Sequence, residues 1–352
     1  MMDEQSPMKV MTSEVRPGVL DARLLDGSAA ERRCFIERLR EECCDVGTFY
    51  LAHHSVPAAL CQEVLDGARA FFDLPLEDKT GISIRKSEHF RGYSDMSNGR
   101  DWREQVHLGL EQPKMACGPD APESWRLRGP NLWPARLGVE WRTAMLSFLS
   151  AVGSLGNRLL GALAMAAKLP EGHFNQSPHD TPYLLMKLIC YYSQAPGKPF
   201  RDGVAAHCDW SLLTFLLQRE AGLQVQTRRG QWLDVPPISD TFVVNLGELM
   251  EAVTSGYFYA TPHRVRNVSW DKPRISIPVF INPGLHSVIA PMPMQGESLR
   301  SEQTRATEGD STPHVHRVID RSKPITPFVF GDSEWQRKGL GRWCYETRCC
   351  ES

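Results

Sequence analysis

The run Ala205-Ala206-His207-Cys208-Asp209-Trp210 sets an imidazole and a carboxylate two residues apart. On an extended segment, residues i and i+2 project to the same face, so His207 and Asp209 can reach one ion. No other histidine in the chain begins an HxD or HxE pattern. A third ligand is supplied downstream by His263, in the strand-like run 257–265. Two neutral imidazoles and one carboxylate form a facial set that suits non-haem iron(II) and leaves coordination positions open. Eleven residues after His263 comes Arg274. In the run 274–281, Ile275, Ile277, Val279 and Ile281 alternate with Arg274, Ser276, Pro278 and Phe280. A strand therefore shows Arg274, Ser276 and Phe280 on one face and the aliphatic residues on the other. A guanidinium fork with a neighbouring hydroxyl suits a carboxylate ligand. The same alternation also fits an edge strand with Arg274 in water, and each histidine alone fits a structural role.

These residues need a scaffold, and the chain changes character along its length. Residues 1–17 read as a flexible leader. Ser28 followed by Glu31 is a capping box opening a helix, continued by Phe35, Ile36, Leu39 and Cys43 and ended at Gly47. Residues 48–51 read as a strand, and Pro57 opens a second helix with Leu60, Val64, Leu65, Ala68, Phe71 and Phe72 on one face. Residues 80–135 show little periodicity, and a long helix is predicted over 138–167. Short β-like segments then follow at 184–192, 212–218, 223–227, 241–246, 257–265, 274–281 and 286–289, the pattern of a sandwich or barrel. The polar segment 296–322 reads as a surface loop, and helical pattern returns weakly after 331. The domain reading is a leader (1–17), an N-terminal helical and mixed region (18–135), and a long helix, β-core and tail (136–352), the last two forming one unit.

Composition narrows the function. The 352 residues carry a formal net charge of −2 and no basic stripe, which argues against a nucleic-acid partner. No apolar run reaches the roughly 18–20 residues of a spanning helix, and the start of the chain lacks the apolar core of a secretory signal. A cytoplasmic protein acting on a small molecule, without a membrane partner, is expected. The ten cysteines include no CxxC pair, so a structural zinc site is not expected, and most read as small buried hydrophobes. The doublet Cys349-Cys350 could oxidise in air.

Several blocks, in order, resemble one family. They are Phe49–Pro57, with His53 where asparagine is usual and Ser55 in place of glycine, then Phe90–Ser94, Asp101–Gly109, Gly222–Gln226 and Val243–Met250. With the His207, Asp209 and His263 set and the Arg274-x-Ser276 pair, the chain resembles the iron(II)- and 2-oxoglutarate-dependent oxygenases of the isopenicillin N synthase-like group. That resemblance implies a mostly β core with flanking helices, a double-stranded β-helix or jelly roll. It implies His207, Asp209 and His263 as iron ligands, and Arg274 and Ser276 on the distal carboxylate of 2-oxoglutarate. Tyr192, fifteen residues before His207, matches a tyrosine that many members use on the cosubstrate. It also implies dioxygen as cosubstrate, ascorbate as a helpful reductant in vitro, and hydroxylation, desaturation or ring closure of a small molecule in specialised metabolism. Trp210, Phe280, Tyr93 and His107 are candidate substrate contacts, with Arg103 in the same blocks. Core packing competes for Trp210 and a solvated face for Arg103. A C-terminal segment covering Phe328–Trp343 could close over the site, or be a plain surface helix. Two alternatives stay open: an iron oxidase of the same group that does not use 2-oxoglutarate, and a non-catalytic jelly roll.

Overall fold

A computed structural model describes residues 17–97, 101–115, 121–174, 181–193, 202–266, 272–292 and 315–346, without side chains beyond 338. The leader 1–16, most of the expected loop 296–322 and the Cys349-Cys350 doublet lie outside the described residues. The first half carries β1 (Val19–Asp21), α1 (Ala29–Asp45), β2 (Thr48–Ala52), α2 (Ala58–Phe72), α3 (Leu76–Gly81), β3 (Gly92–Asp95), β4 (Arg103–Gly109) and α4 (Val139–Ala166). The second half carries β5 (Pro182–Tyr191), β6 (Asp202–His207), β7 (Leu213–Gln218), β8 (Leu223–Gln226), β9 (Trp232–Asp234), β10 (Thr241–Leu246), α5 (Glu248–Val253), β11 (His263–Arg266), β12 (Arg274–Gly284), β13 (Val288–Ile289), β14 (Phe328–Val329) and α6 (Phe330–Glu346).

The strands form a major sheet in the order β1-β2-β10-β7-β12-β5-β4-β3 and a minor sheet in the order β6-β11-β8-β9. Two apolar clusters show how they are layered. Ile275, Ile277, Val279 and Ile281 of β12 and Phe215 and Leu217 of β7 pack with the helices, including Phe35 and Leu39 of α1, Phe71 of α2 and Phe148 of α4. The opposite face contributes Ile189, Tyr191, Leu216 and Val243, which join Val204, Leu223, Val225 and Val265 of the minor sheet. The alternation expected over 274–281 is thus present, with its aliphatic face turned to the helices rather than to water. The jelly-roll core expected from the sequence is the architecture found.

Local chemistry explains the helices. Ser28 Oγ accepts from the Glu31 amide at 3.3 Å, and Glu31 Oε2 accepts from the Ser28 amide at 2.7 Å, completing the capping box. Gly47 closes that helix with φ +71°, a conformation glycine adopts without a Cβ penalty. In α4, a Cβ at Gly156 would meet Ile281 Cγ1 at 2.8 Å, so glycine lets the helix lie close on β12. By length and composition α4 could pass for a membrane span, but its apolar window is 61% buried inside the molecule. His53 has φ +51°, in the left-handed region that asparagine favours and histidine also tolerates, which accounts for its replacement in that block.

Some elements differ from expectation. Residues 80–135 hold β3 and β4, both paired within the major sheet. β4 is buried on both faces and carries Glu104, Gln105 and His107, so its sequence shows no apolar alternation. The strand expected over 257–265 begins only at His263. The described end of the expected loop, 315–322, is tied down. His316 bridges His207, with its amide donating to Ala206 O at 2.9 Å and its carbonyl accepting from Cys208 at 3.1 Å. Glu248 accepts from the Val318 and Ile319 amides, and Arg321 pairs with Glu251. These backbone partners are invisible to a pattern of side-chain polarity.

Candidate active site

β6 and β11 run antiparallel with His263 opposite His207, so one strand pairing sets two imidazoles side by side, ring centroids 4.3 Å apart. Asp209 follows the end of β6 and turns its carboxylate toward both. Its Oδ1 lies 3.7 Å from His207 Nε2 and 3.5 Å from His263 Nε2. All three ligand atoms lie within 4.8 Å of one another. Donors about 2.1 Å from one metal and at right angles to each other lie about 3 Å apart, so this spacing suits a facial set. The other ring nitrogens fix the tautomers: His207 Nδ1 donates to Ala205 O at 2.9 Å and His263 Nδ1 to Thr261 O at 3.1 Å. Both Nε2 lone pairs are thereby available to a metal. Asp209 Oδ2 is buried without a hydrogen-bond partner among the described residues.

The electrostatics agree. Burial drives the His207 imidazole down to about 3, and His263 adds to the effect. Burial would also lower His263, but Asp209 outweighs it and holds that imidazole above its ordinary value. Burial raises Asp209, yet the two imidazoles outweigh it and hold the carboxyl well below the usual range. A divalent cation bound at the three atoms would satisfy the buried carboxylate directly. The donor set fits iron(II).

Arg274 is buried and lines the same cavity of about 550 Å³. Its Nε donates to Ala221 O at 3.0 Å, its Nη2 to Gln218 Oε1 at 2.7 Å, and its guanidinium lies 5.0 Å over the Tyr191 ring. Nη1 has no hydrogen-bond partner among the described residues. Burial lowers its pKa from the ordinary value, but a guanidinium stays charged, so a buried cation faces the space an anionic ligand would fill. Ser276 lines the cavity beside it and donates to the Tyr191 hydroxyl at 3.4 Å.

The expected tyrosine, Tyr192, does not line this cavity, and its neighbour does. Tyr191 lies opposite Arg274 in the β5–β12 register and lines the cavity, with Lys187, Ile189 and Leu185 on the same face. Tyr192 is the next residue along, so it projects the other way. It packs on Trp102 and borders a second cavity on the far side of the sheet, with Glu104 and Cys190. Counting back from His207 selects Tyr192, whereas strand alternation selects Tyr191. Tyr191→Phe is expected to weaken 2-oxoglutarate binding by about 0.5–1.5 kcal/mol, and Tyr192→Phe to leave it unchanged. Anaerobic calorimetry of both variants checks the assignment, and the reverse order would restore Tyr192.

The remaining candidates divide. Phe280 and Trp210 line the cavity. Trp210 also stacks on Phe328, ring centroids 5.8 Å apart, so lining and packing are both its role. Arg103 lines the cavity and pairs with Asp101 at 3.3 Å, which rules out a free solvated face. Tyr93 does not line the cavity: its hydroxyl donates to Glu104 Oε2 at 2.9 Å, on the opposite face of β4, where Lys79 donates to the same oxygen at 2.8 Å. His107 is buried and does not line the cavity, although it pairs with Lys187 on the same face of the sheet; neither ring nitrogen has a hydrogen-bond partner among the described residues. The tail forms a wall of the cavity through Glu334, Arg337 and Lys338 of α6, while Trp343 lies beyond the described side chains. Lys187, His316 and these α6 residues were missed. Lysine inside a β-like run was the one available signal.

Comparison with known proteins follows the same division of the chain. Residues 18–136 match the family described as the non-haem dioxygenase in morphine synthesis N-terminal region, and residues 184–283 match the 2OG-Fe(II) oxygenase superfamily. A 2-oxoglutarate-dependent dioxygenase, frbJ, from Dothideomycetidae sp. is 34% identical over 70% of this chain and 68% of the relative. Clavatol oxidase claD of Penicillium crustosum is 30% identical over 78% of this chain and 87% of the relative. Among solved structures, a full-length Neurospora crassa protein in complex with alpha-KG and 5-formyluracil is similar, with a TM-score of 0.65 and 26% identity over 78% of this chain and 87% of that one.

Proposed function

The chain belongs to the 2OG-Fe(II) oxygenase superfamily, and from that premise we propose that His207, Asp209 and His263 hold the iron while Arg274, Ser276 and Tyr191 hold 2-oxoglutarate. The enzyme is an iron(II)- and 2-oxoglutarate-dependent dioxygenase acting on small molecules. The observation that carries the residue assignment is the pairing of a convergent His-Asp-His set with a buried guanidinium that keeps one donor unused in the same cavity. When bound, iron(II) with 2-oxoglutarate and dioxygen supplies the oxidation of a substrate C–H bond, with succinate and carbon dioxide as the products of the keto acid.

The protein's own part is positional. The two Nδ1–H bonds to Ala205 and Thr261 hold the imidazoles in the tautomer a metal needs. The bonds from Arg274 to Gln218 and Ala221 fix the guanidinium before any ligand arrives, which lowers the ordering cost of binding. Leu185, Ile189, Val204 and Leu216 line the cavity with hydrocarbon and exclude water from the reacting atoms. Trp210, Phe280 and α6 cover the part of the cavity left for the substrate.

A cosubstrate-independent oxidase of the same group could use the Arg274 donor on another anion, so 2-oxoglutarate is favoured by the relative named a 2-oxoglutarate-dependent dioxygenase, while a binding protein would leave the ligand set without use. Specialised metabolism is supported by the relative named a clavatol oxidase. Location in the cytoplasm is proposed with it, on the ground that no two of the six cysteines with described side chains are bonded to each other. The test is succinate release by purified protein supplied with iron(II), ascorbate, 2-oxoglutarate and air. Succinate is expected even without substrate, at a slow rate abolished by a chelator. 2-Oxoglutarate left intact by metal-loaded protein across a panel of small-molecule substrates would contradict the proposal.

A further inference from the structure

We infer that the substrate is an anion, a ring-bearing small molecule whose carboxylate docks on Lys187 and Arg337. This rests on the oxygenase reading of the same cavity. Four cationic side chains besides Arg274 line the cavity among the described residues: Arg103, Lys187, Arg337 and Lys338. Apart from the ligand Asp209, the acids in that lining are Asp101 and Glu334. Both are already engaged, Asp101 with Arg103 at 3.3 Å and Glu334 with Lys338 at 3.1 Å. Lys187 and Arg337 have no ion pair or hydrogen bond among the described residues. Arg337 Nη1 is buried without a partner.

Neither cation serves the cosubstrate grip. Lys187 stands four residues along β5 from Tyr191, the cross-strand partner of Arg274. At about 3.3 Å per residue that is about 13 Å of strand, and the Lys187 ammonium lies over Phe280, further along β12 from Arg274. Lys187 therefore belongs to the substrate end.

The cost of keeping it there is visible. Burial pushes the Lys187 amine down to about 7, with Arg103 and Lys338 adding to the effect. Asp209 is among the few groups that oppose this shift, and a bound metal would cancel its charge. An ammonium held in such a place without a counter-ion is destabilised, and a ligand carboxylate would relieve it. The walls beside the two cations specify the rest of the molecule. The Lys187 ammonium lies 5.0 Å over the Phe280 ring, and the Arg337 guanidinium 4.7 Å over Trp210. Flat aromatic surfaces next to cations suit a planar ring carrying an acidic group.

The test uses the whole protein, loaded anaerobically with iron(II) and saturating 2-oxoglutarate. Phenylacetate and 3-phenylpropionate are titrated against their primary amides by calorimetry, since each pair differs in charge but hardly in shape. At least one acid is expected to bind roughly tenfold or more tightly than its amide. That preference is expected to collapse in Lys187→Gln and in Arg337→Gln, with 2-oxoglutarate affinity unchanged. If Lys187→Gln does not fold, Lys187→Met and Arg337→Gln carry the comparison. Equal binding of acids and amides, no binding of any acid at millimolar concentration, or a preference that survives both substitutions overturns the inference. Failure of 2-oxoglutarate itself to bind overturns the oxygenase reading instead.

Discussion

Asp209→Ala is expected to reduce 2-oxoglutarate turnover by at least about a thousandfold, ~4 kcal/mol, because the iron is no longer held. Asp209 is the one ligand that carries charge, and its Oδ1 is the atom both imidazoles face, at 3.5 and 3.7 Å. Without it, two neutral imidazoles on adjacent strands remain, a weak and undirected pair. The fold should persist, since the two histidines keep their bonds to Ala205 and Thr261. The check is anaerobic binding of iron(II) or cobalt(II), with the melting temperature as a control for folding. A folded variant that binds metal within a few-fold of the parent would mean that the metal sits elsewhere.

Arg274→Gln is expected to weaken 2-oxoglutarate binding by about 2–5 kcal/mol, the cost of removing one partner from a buried charge pair. Iron affinity should barely move, because Arg274 touches no metal ligand. Three features put the effect at this size. The side chain is 2% exposed, so water cannot replace it. Gln218 and the Ala221 carbonyl already hold the guanidinium in place. Its Nη1 has no hydrogen-bond partner among the described residues, so it is available to the ligand. Arg274→Lys should recover little, since a point charge cannot keep both anchoring bonds and also reach the ligand as a fork. Calorimetry on the iron-loaded protein measures both variants. Unchanged affinity in Arg274→Gln would place the distal carboxylate away from β12.

What the sequence shows here depends on whether the information is local. The alternation over Arg274–Ile281 is local, and it places Arg274, Ser276 and Phe280 on the cavity face as read. His207 and Asp209 converge as read, although Asp209 lies beyond the end of β6. His263 was legible only through its neighbours, because the pairing that sets it opposite His207 spans more than fifty residues. Counting back from His207 selects Tyr192, whereas Tyr191 is the tyrosine that lines the cavity, because the count ignores which face of β5 each residue occupies. β4 was missed because its buried residues are polar: Glu104 serves Lys79 and Tyr93 rather than an apolar layer. The segment 315–322 is a surface segment as read, but its anchors, backbone amides on Glu248 and a bridge to His207, carry no side-chain signal. The cavity positions of Arg337 and Lys338 come from tertiary packing alone.

The central claim is that one iron and one 2-oxoglutarate meet on His207, Asp209, His263 and Arg274. It is tested most directly by adding 2-oxoglutarate to the iron(II)-loaded protein under anaerobic conditions and following the visible spectrum. A weak charge-transfer band should rise and saturate at one cosubstrate per chain, and it should be absent from His207→Ala. Persistence of the same band in His207→Ala, or saturable 2-oxoglutarate binding with no band in the parent protein, would contradict the account.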